Sequence, residues 1–277
     1  MSEPRSWLFV PADSEKKIAK ALASDADAII FDLEDSVAPG RKADARAILQ
    51  ALPARSGGPQ WWVRINPAGS EHHKDDLHLL GKSDMSGIVL PKAESGEDVL
   101  ELAHRTGNVP IHAIVTETAA SLFGLLSYRD PGSPLAAMSW GAEDLSAALG
   151  ASSKYDASGE LSFTYKLARS LCLAGAAAAG VQPVDGVFAD FGDEDGLRAE
   201  SQAAAREGFT GKLAIHPAQV AVINAAFTPS AEDVASAEQI VAAFEAHPDA
   251  GVLSVGGKMV DRPHLVQARR VLERATR

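Results

Sequence analysis

Short, almost uninterrupted apolar runs recur along the chain, each closing on a polar or turn residue. Eight stand out: Trp7–Pro11, Ala28–Asp32, Trp61–Asn66, Gly87–Lys92, Ile111–Glu117, Met138–Gly141, Gly186–Asp190 and Lys212–His216. Strands that stay hydrophobic on both faces belong to a parallel sheet covered by helices. The intervening segments carry helical spacing instead. In SEKKIAKALAS, Ile18, Ala21 and Leu22 share one face, and Ser14 stands where an N-cap is needed. YKLARSLCLAGAAAAG is long and Ala-rich, which permits close packing, and DGLRAESQAAAREG ends on Gly208, a fitting C-cap. Eight strands alternating with helices over about 220 residues predict an α/β fold, a (β/α)8 TIM barrel. The main rival, a doubly wound open sheet, lacks its glycine-rich phosphate fingerprint, because VPADSEKK follows the first run. The barrel is expected over residues 1–227. One further helix from about Thr228, then a loop and a final helix in GGKMVDRPHLVQARRVLERA, predict a C-terminal helical extension over 228–277. That tail is expected to belong to the same unit and to cap the barrel or contact a neighbouring subunit.

Composition narrows the partners. An apolar fraction of 46% in 277 residues allows a sizeable core. Asp plus Glu outnumber Lys plus Arg by 37 to 26, a net charge of −11, which argues against nucleic acid or an anionic membrane. Cys172 is the single cysteine, and its apolar flanks predict a packed thiol rather than a nucleophile. No apolar run approaches the roughly 18–20 residues that span a bilayer. The N-terminal stretch lacks a basic region followed by an apolar one. A soluble cytoplasmic protein is expected.

In a barrel of this kind the active site lies at the C-terminal ends of the strands. Those ends carry Asp32, Glu34 and Asp35, then Arg64 and Asn66, Lys92, Glu117, Glu143 and Asp144, Asp190 and His216. Charged groups packed around one mouth need partners, or a metal, to offset their desolvation. Glu117 and Asp144, from adjacent strands, would converge. With no Cys or His ligand nearby they make a hard oxygen site that suits Mg²⁺. An arginine across the mouth can grip a substrate carboxylate through two parallel hydrogen bonds. The combination suits a metal-assisted reaction that stabilises an oxyanion on a 2-oxo acid. Structural salt bridging is the competing account for each carboxylate. Lys92 as a Schiff-base lysine has Pro91 beside it and no other support. The histidines of EHHKDD (Glu71–Asp76) are read as solvated rather than as metal ligands, and His216 reads equally well as a core histidine. Lys16, Lys17 and Lys20 form a basic helical face where a phosphorylated cofactor can dock.

Taken in order, RSWLFVPADSEKKIAKAL, DAIIFDLEDSVAPGRKADAR, VRIN, GIVLPKAES, TET, WGAEDLSAALG, FTGKLAIHPAQVAVINAAFTPS and GGKMVDRP resemble the citrate lyase beta-subunit-like family, which includes the malyl-CoA lyases. The resemblance runs from Arg5 to about Leu272. It implies a (β/α)8 barrel with a C-terminal extension, assembled as a homotrimer or a multiple of trimers. It also implies a Mg²⁺-dependent carbon–carbon lyase acting on thioesters. The family's metal ligands match Glu117 and Asp144, and the arginine that binds the oxo-acid carboxylate matches Arg64. The acidic segment Asp32, Glu34 and Asp35 shapes the thioester end of the pocket, and an aspartate from a neighbouring subunit matches Asp261. The expected catalytic set is therefore Arg64, Asp261, Glu34 and Asp35. Arg64, Asp32, Lys16, Pro91 and Gly141 are expected to bind substrate, and Glu117 and Asp144 to hold Mg²⁺. The expected reaction cleaves a 3-hydroxyacyl-CoA, of malyl-CoA or citramalyl-CoA type, to an acyl-CoA and a 2-oxo acid. Thioester hydrolysis follows if Asp261 activates water. Two alternatives stay open: a CoA-independent pyruvate-type aldolase, and a citrate-lyase-like beta subunit inactive without partner subunits.

Overall fold

The structure, a computed structural model, describes residues 3–55, 57–80, 84–130 and 132–276. Eight parallel strands close into a barrel: β1 Ser6–Pro11, β2 Ala28–Asp32, β3 Gln60–Arg64, β4 Gly87–Leu90, β5 Ile111–Ile114, β6 Leu135–Ser139, β7 Gln182–Asp185 and β8 Gly211–Ala214. β1 pairs with β8 from Ser6↔Lys212 to Leu8↔Ala214, which closes the ring. The helices that follow are α1 Glu15–Leu22, α2 Lys42–Gln50, α3 His73–Leu80, α4 Gly96–Thr106, α5 Ser121–Gly124, α6 Ala142–Ala148, α7 Phe163–Ala179, α8 Glu194–Glu207 and α9 Ala218–Phe227. The predicted caps are present. Ser14 accepts a hydrogen bond from the Lys17 backbone, and Gly208 ends α8 at φ 119°.

The barrel interior is filled by one or two side chains per strand. Trp7, Ala28, Ile30, Trp62, Val89, Ile114, Ala137, Val184 and Leu213 form one buried cluster. Trp7 meets the rings of Trp62 and His112 edge-on at 4.9 and 4.6 Å. Burial pushes the His112 pKa down to about 3, so the ring is neutral, and its Nε2 lies 2.9 Å from Ser139 Oγ. The alternate residues, among them Leu8, Ile29, Phe31 and Ile88, are equally buried. This is why the runs show no polar phase. Cys172 is fully buried in α7, and burial raises its pKa.

Two expectations are corrected. The seventh strand is not Gly186–Asp190 but Gln182–Asp185, and the apolar stretch GVFAD follows it as a loop. The polar residues of β7 are buried because each meets a distant partner. Gln182 donates to the Pro4 carbonyl, and Asp185 pairs with Lys212 and Arg169. The tail is not purely helical either. The described chain forms two compact units, residues 3–224 with the barrel strands and a second from Ala225 onward. In the second, α10 Ala231–Ala246 is followed by an antiparallel hairpin, β9 Val252–Val255 and β10 Lys258–Asp261, and then by α11 Arg262–Ala275. Gly256 and Gly257, at φ 60° and 76°, make the two-residue turn that this hairpin requires. Phe244, Val260 and Leu265 form the unit's core. Among the described residues, no helix is long and apolar enough to cross a membrane.

Candidate active site

Asp32, Glu34, Asp35, Arg64, Lys92, Glu117 and Asp144 gather at the C-terminal mouth, whereas among the described residues no hydrogen bond or ion pair joins Glu143, Asp190 or His216 to them. Asp32 ends β2 and Arg64 ends β3, in register with one another. Arg64 donates from Nε and Nη2 to the two carboxylate oxygens of Asp32, both at 2.7 Å. Asp32 also accepts from the backbone N–H groups of Glu34 and Ser36 at 2.8 and 3.2 Å. Burial pushes the Asp32 pKa up, but Arg64 and these hydrogen bonds outweigh it and hold the carboxyl below its ordinary value. Arg64 stacks over the Phe9 ring at 4.8 Å, and its Nη1 stands 3.0 Å from Glu34 Oε2. That ion pair lacks hydrogen-bond geometry, and Glu34 Oε2 receives no hydrogen bond from the described residues. Glu34 is buried, and desolvation raises its pKa above the usual carboxylate range.

Behind this pair lies a support that the sequence did not disclose. Lys42, buried on α2, donates to the carbonyls of Leu33 and Glu34 and to Asn66 Oδ1. Asn66 in turn bonds Asp76 at 2.6 Å, and His73 Nδ1 lies 2.7 Å from the Asn66 carbonyl. His73 was expected in solvent but is 5% exposed, and Asp76 beside it is fully buried. Their hydrogen bonds fix Asn66, two residues beyond the Arg64 that ends β3.

Lys92 is the second organiser. Its backbone is left-handed, at φ 53°, and its N–H donates to Glu117 Oε2 at 2.6 Å. Its ammonium lies 2.5 Å from Glu34 Oε1, 3.2 Å from Asp144 Oδ1 and 3.5 Å from Asp35 Oδ2. These carboxylates outweigh the cost of burial, so the Lys92 pKa is raised. Glu117 is 4% exposed. Desolvation pushes its pKa up to about 8, opposed by the Lys92 N–H and Arg64 and reinforced by Asp144 and Glu34. Gly141 leaves room for it, since a Cβ there would stand 2.8 Å from Glu117 Cγ and 3.1 Å from Oε1.

Of the expected site residues, Asp32, Glu34, Asp35, Arg64, Glu117, Gly141 and Asp144 share this mouth with Lys92. Pro91 is buried and lines, with Lys92, His73 and Arg105, a cavity of about 300 Å³. Lys16 is exposed on α1. Asp261 belongs to the second unit, where it caps α11 and its Oδ1 lies 2.5 Å from His264 Nδ1; that hydrogen bond lowers its pKa. His216 is exposed and stacks on Phe191 at 5.1 Å, so it is no core histidine. Among the described residues, no three His, Cys, Asp or Glu side chains gather as a metal site. Glu117 and Asp144 form a two-carboxylate set, which fits Mg²⁺, an ion that fills its remaining positions with water and substrate oxygens. A carboxyl with a pKa of about 8 beside a second carboxylate is a group that a bound cation would ionise.

The chain is 36% identical over 277 residues to a (3S)-malyl-CoA thioesterase of Cereibacter sphaeroides, covering 98% of this chain and 94% of the relative. It is 36% identical over 298 residues to the mitochondrial citramalyl-CoA lyase of Rattus norvegicus, covering 98% and 86%. The crystal structure of CitE from Mycobacterium tuberculosis in complex with magnesium, acetoacetate and coenzyme A superposes with a TM-score of 0.85 at 38% identity, covering 99% of this chain and 98% of that one. Residues 5–217 match the HpcH/HpaI aldolase/citrate lyase family, and the chain belongs to it.

Proposed function

We propose that the chain is a Mg²⁺-dependent carbon–carbon lyase cleaving a 3-hydroxyacyl-CoA, of malyl-CoA or citramalyl-CoA type, to an acyl-CoA and a 2-oxo acid. One observation carries the reading: a buried carboxyl seeking a cation, Glu117, shares one strand-end mouth with Asp144 and with an arginine already oriented by Asp32. Glu117 and Asp144 would hold the ion, which when bound supplies Lewis-acid polarisation of the substrate's hydroxyl or carbonyl oxygen. Arg64 has five N–H donors, and its bidentate pair with Asp32 uses two. The remaining ones bind the substrate carboxylate. Glu34 has one carboxylate oxygen without a hydrogen bond and a raised pKa, and it is suited to take the hydroxyl proton. Loss of that proton breaks the bond between the hydroxyl-bearing carbon and the thioester α-carbon. The electron pair passes to the thioester as an enolate, which is then protonated. Asp261, delivered from a neighbouring subunit, is the candidate residue for this proton chemistry, and Asp35 completes the acidic set. Lys16 on α1 and Pro91 line the approach for the CoA moiety.

The same reading makes the protein a cytoplasmic homotrimer or multiple of trimers. Exposed Phe163 and Leu167, four residues apart on α7, are apolar surface of the kind a neighbouring protomer covers. Sedimentation velocity tests the assembly. The activity is tested by comparing CoA esters with free 4-hydroxy-2-oxo acids as substrates for the purified chain. Release of glyoxylate or pyruvate from the CoA esters supports the reading. Turnover of the free acids alone would replace it with a CoA-independent aldolase.

A further inference from the structure

Lys92 occupies a costly backbone conformation for a residue with a Cβ, at φ 53°. In that conformation its two donors serve different carboxylates. The backbone N–H holds Glu117 at 2.6 Å, and the ammonium reaches Glu34, Asp144 and Asp35 at 2.5, 3.2 and 3.5 Å. Arg64 is turned toward Asp32 and Glu34, and among the described residues Lys92 is the cation that pairs with Asp144. The four acidic side chains that Lys92 contacts repel each other strongly when ionised and partly desolvated. A divalent ion on Glu117 and Asp144 would bring two positive charges to the neighbourhood that this ammonium already occupies. Ammonium and metal are therefore alternatives at Asp144, and each weakens the other.

We infer that the Lys92 ammonium is the internal counter-ion of the metal-free site: it holds Asp144 and Glu34 in place before Mg²⁺ binds and sets the metal's affinity by opposing it. The inference rests on the assignment of Glu117 and Asp144 as metal ligands. Lys92 acts here as a positioning residue, through the carboxylates it touches.

The test is a calorimetric Mg²⁺ titration of the metal-free full-length protein, paired with melting curves with and without Mg²⁺. Lys92→Gly keeps the left-handed backbone and its N–H to Glu117 while removing the ammonium. Lys92→Arg keeps the charge. The glycine variant should bind Mg²⁺ about tenfold more tightly than wild type, while its metal-free form melts at a lower temperature. The arginine variant should stay close to wild type in both. A lysine with a merely structural role would lower the melting temperature and leave Mg²⁺ affinity unchanged or weaker, and that result overturns the inference. Should Lys92→Gly fail to fold, Lys92→Gln makes the same comparison. Wild-type protein titrated beside Glu117→Gln separates the two levels. Glu117-dependent binding without tightening in Lys92→Gly overturns this inference alone. No Glu117-dependent binding at all overturns the metal-site reading and the inference with it.

Discussion

The ionisation of Glu117 ties the geometry to a measurable pH profile. Its carboxyl is buried, accepts a hydrogen bond from the Lys92 N–H, and has Asp144 and Glu34 adding negative potential; its pKa rises to about 8. A carboxylate binds Mg²⁺ only when ionised, so binding must expel the proton. With a pKa of about 8, about one molecule in a hundred is ionised at pH 6, about one in ten at pH 7 and about half at pH 8. Apparent Mg²⁺ affinity should rise about tenfold from pH 6 to 7 and about fivefold from pH 7 to 8, then level off. Calorimetry at pH 7 in buffers of different ionisation enthalpy should record about 0.9 proton released per ion bound. Affinity that stays flat between pH 6 and 8, with no proton released, would refute the reasoning. The sign for stability follows from the same shift. The folded pKa lies above the unfolded one, so the metal-free folded state holds the extra proton between the usual carboxylate range and about pH 8. Stability falls as pH rises through that window, and the full loss, on the order of 5 kcal/mol, applies above it. Glu117→Gln should flatten that slope.

Arg64→Ala strips buried Asp32 of its bidentate partner, so the protein should lose about 3–5 kcal/mol in denaturant unfolding and bind glyoxylate more weakly; unchanged glyoxylate affinity would remove the carboxylate-gripping role. Gly141→Ala places a methyl 2.8 Å from Glu117 Cγ and should weaken Mg²⁺ binding in a calorimetric titration while leaving the circular dichroism spectrum intact. Lys212→Met removes the buried partner of Asp185 at 2.9 Å, with an expected loss of about 3–5 kcal/mol in urea unfolding. Burial pushes Asp185 up, but Lys212 and Arg169 outweigh it and hold its pKa at about 2. That ion pair's contribution is present above the usual carboxylate range and is lost as pH falls toward about 2, which an acid-unfolding curve would show.

The barrel was legible where strands are buried on both faces by apolar side chains, as in β2 with Ala28–Asp32 and β4 with Gly87–Leu90. It was not legible at β7, whose Gln182, Pro183 and Asp185 look like a turn until Pro4, Lys212 and Arg169 are placed beside them. The hairpin around Gly256 and Gly257 carried its signal in the paired glycines between alternating strands, although the segment reads as a loop by composition. At the site, the convergence of Glu117, Asp144 and Arg64 on one mouth could be read from their positions near strand ends. What escaped was partnership across the chain. Arg64 and Asp32 are 32 residues apart, and Lys92 and Glu34 are 58 apart. The left-handed turn at Lys92 has no marker in LPKAES, since glycine is the residue that usually announces it.

The most direct test of the proposed lyase is to quantify every product of malyl-CoA and citramalyl-CoA turnover by mass spectrometry. Wild-type protein would be run with Mg²⁺ and after chelation, beside Glu117→Gln with Mg²⁺. The account predicts acyl-CoA and 2-oxo acid in equal amounts from the wild type with Mg²⁺, and none in the other two reactions. Carbon–carbon cleavage that survives chelation or Glu117→Gln would contradict it, as would free CoA and an intact hydroxy diacid with no 2-oxo acid released.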